Sequence, residues 1–183
     1  MNRTSQASRL NMQVFAKEGT PLLETTLLQT MQRLAQEAQG LQADSVVTWQ
    51  ARGELRPGAG GEDAEPDTWL HLEAKTAVPL TCQRCMNVVF APVEVKQWYR
   101  FVASEDIAMA EDDQSEEDLL VMEPYFDLLA VLEDELLMAL PLVPMHDECP
   151  VAATPGTGAM EVTDDVEEKP NPFAVLAKLK KES

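Results

Sequence analysis

Two stretches of the chain carry side chains at metal-ligand spacing. Cys82-Gln83-Arg84-Cys85 sets two thiols three positions apart, and His146-Asp147-Glu148-Cys149 repeats that interval with an imidazole and a third thiol. Pairs with two residues between members suit a structural zinc site. Three thiolates and one imidazole would close a tetrahedron with no open position. The competing reading is three ordinary thiols and a surface histidine. Redox use of Cys82 and Cys85 fits less well, because such a pair normally opens a helix after a strand. Here strand character continues on both sides of the pair. An odd number of cysteines also argues against a disulfide framework.

Other constellations carry less. Glu133, Asp134 and Glu135 are consecutive on a predicted helix, where sequence neighbours point in different directions, so they read as a solvated face. His71 stands alone on the polar register of a strand. The Gly-Ala-Gly-Gly-Glu run lacks the lysine and hydroxyl of a phosphate loop. No nucleophile elbow or zinc-protease motif is present, and the expectation is a protein without enzymatic activity. Trp49, Trp69, Trp98, Tyr99 and Phe101 could stack bases beside Arg52, Arg56, Arg84, Lys96 and Arg100. They also suit a sheet core with a few aromatics on its rim.

The elements that must position these groups read as α+β. Met12, Val14 and Phe15 suggest a short strand. Thr20-Pro21 and the apolar stripe through Leu23, Leu27, Leu28, Met31 and Leu34 predict a helix over 21–39, stopped by Gly40. Strands are expected over 46–55, 68–81 and 88–102, forming an antiparallel meander or a small partly open barrel with Cys82 and Cys85 at one turn. Residues 104–118 read as a mobile acidic loop, and 119–125 as a short strand. Asp127 should cap a helix that Pro141 stops, with residues 141–150 extended beyond it. One domain is expected over 1–149, packed with two to three helices. An acidic flexible linker over 150–170 and a short basic helix over 171–183 should follow it. That last helix has Asn171 as cap, Pro172 at its first position, and Phe173 and Leu176 on its apolar stripe.

Charge separates the chain more sharply than fold does. The net charge is −18. Residues 1–100 hold 10 basic and 11 acidic side chains, whereas 101–168 hold 20 acidic and no Lys or Arg. Residues 169–183 hold 4 basic and 1 acidic. Nucleic acid is bound chiefly by neutralising phosphates, so such a surface disfavours broad RNA contact and favours a basic protein partner. Solubility alone would also account for the acid. No apolar run is long enough to span a bilayer, and the N-terminus lacks the apolar segment of a secretory signal. A cytoplasmic location is expected.

Three segments in order resemble the YceD family, the large ribosomal RNA subunit accumulation proteins. They are Leu80-Thr81-Cys82-Gln83-Arg84-Cys85, the run from Asp127 through Glu133-Asp134-Glu135 to His146, and Lys169-Pro170-Asn171-Pro172-Phe173-Ala174-Val175-Leu176. The resemblance implies a cytoplasmic bacterial factor supporting synthesis, processing or stability of 23S ribosomal RNA, with no catalytic residues to carry over. It adds a large-subunit ribosomal protein or pre-ribosomal particle as the expected partner. The surfaces expected to engage it are Glu133, Asp134 and Glu135 together with Asn171, Pro172, Phe173 and Leu176. Direct RNA binding by the aromatic and arginine rim is the alternative.

Overall fold

The computed structural model describes residues 7–58 and 65–149. The expected linker over 150–170 and the helix over 171–183, with Asn171, Pro172, Phe173 and Leu176, lie outside the described residues. Five strands form one open mixed sheet in sequence order: β1 Leu22–Leu27, β2 Val46–Arg56, β3 Asp67–Thr81, β4 Val88–Val102 and β5 Asp118–Val121. The first four make an antiparallel meander. The last pairs parallel with the end of β4, Tyr99 against Asp118 through Val102 against Val121. The α+β expectation holds, as an open sheet and not a closed barrel.

Alternation explains the three long strands. Val47, Trp49 and Ala51 of β2, Leu70, Leu72 and Ala74 of β3, and Ala91, Val93 and Val95 of β4 are buried on one face. Among the described residues four helices pack with this sheet or flank it: α1 Met12–Glu18, α2 Gln32–Glu37, α3 Glu105–Glu111 and α4 Leu128–Met138. Leu128, Leu132 and Leu136 of α4 are completely buried at four-residue steps. Asp127 caps this helix as expected, its carboxylate accepting from the Ala130 N–H at 3.0 Å.

Three expectations are corrected. Met12 to Phe15 lie in a helix and not a strand: Asn11 accepts from the Val14 N–H and Gly19 ends the helix at φ 62°. The predicted helix over 21–39 is instead strand β1, a 3₁₀ turn over Leu28–Thr30, and the short α2. Thr26 decides this locally, since its buried hydroxyl accepts the Trp49 indole N–H at 2.9 Å. The edge of β2 then claims the backbone of 22–27. Leu23 and Leu27, two of the five residues in the supposed helical stripe, end up exposed. Residues 104–118, read as a loop, contain α3 and a 3₁₀ turn. Ser104 caps α3, and Glu105 and Asp106 sit in its first turn, where the helix dipole favours acid.

The acidic row on α4 has a structural duty. Met31 cannot cap α2, so Glu133 does it from a distance. Its Oε1 accepts the N–H groups of Arg33 at 2.7 Å and Leu34 at 3.1 Å. The Arg33 guanidinium returns to Glu133 Oε2 at 3.2 Å and also pairs with Asp134. Glu133→Ala should therefore cost about 1–2 kcal/mol, the value of a lost cap. The loss should appear as a lower thermal midpoint, while Asp134→Ala, more exposed, should shift it less. Equal shifts from both would refute the distant cap.

Candidate metal centre

The turn between β3 and β4 is built to bring thiols inward. Cys82 donates its N–H to the Asn87 carbonyl at 2.9 Å and accepts the Met86 N–H at its own carbonyl at 2.9 Å. Met86 takes φ 61° to close the turn, a left-handed conformation that a glycine would adopt without steric cost. The second half arrives from the chain beyond α4. Pro144 accepts the Gln83 N–H at 2.9 Å, which ties the 141–149 segment to the turn. His146 then lies between β4 and the sulfurs, with Nδ1 3.5 Å from Cys85 Sγ and Nε2 3.0 Å from the Val88 carbonyl. Cys82 Sγ is 4.0 Å from Cys149 Sγ.

All four sequence-predicted ligands thus converge, each offering one atom within 4.8 Å of the others. The group could hold a metal ion. A zinc–sulfur bond of about 2.3 Å implies sulfur–sulfur edges of about 3.8 Å in a tetrahedron, so the spacing is compatible with zinc. With Nε2–H donated to Val88, Nδ1 is left as the ligand atom, the outer arrangement that orients metal-bound histidines.

The electrostatics agree with a ligand set. Burial alone would push the Cys82 thiol up, but backbone N–H groups of His146, Cys85 and Arg84, with the His146 side chain, bring it down to about 5. Contact with the Cys82 sulfur raises His146 above its ordinary value, against some desolvation. Cys149 is raised, first by burial and then by the neighbouring sulfurs. The residues that sequence reasoning missed are backbone partners: the Val88 and Pro144 carbonyls and the Arg84 N–H. A strand end next to a Cys-x-x-Cys pair was the available hint.

The aromatic and arginine rim is dispersed. Trp49, Tyr99 and Phe101 are core residues. Trp69 and Trp98 stand on the opposite face, 6.3 Å apart edge to face, with His71 stacked on Trp98 at 4.2 Å. The Arg56 guanidinium lies 4.2 and 4.0 Å from the two tryptophan ring centres. Arg100 is held by Glu117 at 2.7 Å and Glu111 at 2.8 Å. These cations are already engaged by aromatic rings or carboxylates.

Comparison with known proteins agrees with the motifs. A family model described as large ribosomal RNA subunit accumulation protein YceD matches residues 70–180. A protein of that description from Haemophilus influenzae is 40% identical over 112 residues, covering 56% of this chain and 60% of the relative. No solved structure matches. The family match takes in both halves of the cysteine–histidine group, the acidic helix and the Asn-Pro-Phe segment, and spans well over half of the sequence. The chain belongs to the YceD family of large ribosomal RNA subunit accumulation proteins.

Proposed function

We propose that this protein is a non-enzymatic cytoplasmic factor supporting accumulation of 23S ribosomal RNA. It would act by binding a basic large-subunit ribosomal protein or an assembly intermediate. The observation that carries this reading is the charge segregation: 68 successive residues, 101–168, contain no Lys or Arg and 20 carboxylates. Phosphate would be repelled there, whereas a cationic polypeptide would be drawn in. The name of the Haemophilus influenzae relative supplies the ribosomal setting. Engagement of Arg56 and Arg100 within the chain weakens the alternative of direct RNA readout.

The centre of Cys82, Cys85, His146 and Cys149 holds one structural zinc ion in this reading. Its four donors leave no position for substrate, so it shapes the surface and does no chemistry. The zinc joins the β3–β4 turn to the 141–149 segment.

Tagged protein at low salt should recover large-subunit proteins after ribonuclease treatment. Recovery should fall steeply as salt rises through the range where the Debye length shrinks from about 30 to 8 Å. Capture that ignored salt, or that vanished with ribonuclease, would count against the electrostatic mechanism.

A further inference from the structure

The outer edge of β4 is only partly used. This strand runs from Val88 to Val102, but β5 pairs with Tyr99–Val102 alone. At the other end the His146 imidazole meets the Val88 carbonyl. Backbone polar groups alternate sides along a strand, so the outward groups between these ends belong to Phe90, Pro92, Glu94 and Lys96. None of them has a backbone partner on that side among the described residues. Pro92 fits this register, because proline within a sheet is tolerated where its missing N–H faces away from the ladder.

A trough follows the same edge. Its first part, of about 800 Å³, lies between Val88–Pro92 and the 141–147 segment. A second hollow continues past Glu94–Gln97 against Glu135, Met138 and Ala139. The walls present apolar side chains to solvent: Phe90 is 54% exposed, Val143 57% and Met138 73%. An open backbone edge beside alternating apolar side chains is the geometry of strand addition.

Charge indicates the occupant. α4 ends at this trough without a basic residue in its last turn, so its negative dipole end is uncompensated. Glu94, Glu135 and Asp147 line the trough against Arg84 and Lys96, and Lys96 already faces Glu73 at 3.7 Å, so the lining is acidic on balance. Beneath it, the Tyr99 hydroxyl is buried beside Glu135 without reaching hydrogen-bond geometry with it or with any other described group. A lysine or arginine reaching Glu135 would neutralise that carboxylate and the helix end.

The geometry points to strand addition at the Phe90–Lys96 edge of β4 by an extended, lysine- or arginine-bearing segment of a protein partner. This rests on the proposed function for the partner's basic character and adds where and how it docks. The zinc centre would then fix the far wall of the trough through the 141–149 segment.

Amide hydrogen exchange on the full zinc-loaded chain tests it, with salt-extracted proteins of the large ribosomal subunit as the probe. Amides of Phe90, Glu94 and Lys96 should exchange freely in the isolated protein and slow by about tenfold or more when the probe is bound. Glu94→Pro removes one outward N–H without touching the β3 ladder and should weaken capture by about tenfold. Met138→Lys, on an exposed helix position, should weaken it by repelling the basic segment without altering the fold. Capture by the wild type with no slowing at these amides, or undiminished in both variants, overturns the docking edge while leaving the proposed function standing. Protection of the edge in the isolated chain overturns it too, because the chain's own residues would then be the occupant. Absence of any capture removes the proposed function and this inference together.

Discussion

Protein carrying Cys85→Ser is expected to be isolated with almost none of the zinc that the wild type retains at about one equivalent. Serine does not ionise near neutrality, so one of four donors is lost and the remaining three cannot close the tetrahedron. The domain has its own core of leucines and valines, so the chain should not unfold outright as an isolated zinc finger does. Release should instead be local. Exchange should rise at 82–88 and 141–149, the two stretches the metal joins, and stay unchanged at Leu70, Leu72 and Leu132. Acid should act in the same direction. Metal competes with protons for Cys149 and His146, both raised above their ordinary values, so uptake at neutral pH should liberate protons. Affinity should therefore fall as pH falls. The Cys82 thiol, held down to about 5, is already ionised at neutral pH and releases no proton on binding metal. Elemental analysis of protein purified without chelator decides the matter. A wild type with only a small fraction of an equivalent, after growth with zinc supplied, sinks the assignment.

How much of this was legible in the sequence depended on how local the cause was. Alternation is readable in β3, where Leu70, Leu72, Ala74 and Val78 fall on one register, and in β4, where Ala91, Val93 and Val95 do. These residues are buried, whereas β2 is legible as a strand by its composition alone. The four ligands were legible from spacing alone. Their convergence was not, because it depends on the Gln83–Pro144 hydrogen bond and the Val88 carbonyl, which join residues far apart in the chain. Residues 22–27 were misread because Leu23, Leu27, Met31 and Leu34 do fit a helical stripe. Pairing with β2 and the Thr26–Trp49 contact override that local preference. The errors at α1 and α3 had readable signals: Asn11 and Gly19 bracket one helix, and Ser104 with Glu105 and Asp106 opens the other. Glu133, read as part of a wet face, turned out to cap α2, a role no helical periodicity could announce.

Gly53→Leu should be the most damaging single change in the sheet. Helix α1 crosses β2 directly over this position. A Cβ built on Gly53 would stand 2.8 Å from the Ala16 Cα and from a Phe15 ring carbon, and 2.9 Å from the Ala16 N. Two of those three atoms are backbone, so no rotamer change relieves the contact and the helix itself must lift. Lifting it uncovers Met12, Phe15 and Ala16, all buried in the native state. Overpacking of this kind costs about 1–3 kcal/mol and here, against backbone, should reach the upper end, a large share of the roughly 5–15 kcal/mol that holds a domain together. The denaturation midpoint in urea should drop accordingly, with α1 amides losing protection before those of β3. Arg52→Ala, one residue away on the exposed face, is the control and should stay within about 0.5 kcal/mol of wild type. If Gly53→Leu were as mild as that control, the close approach of α1 to β2 could not be the packing that closes this end of the core.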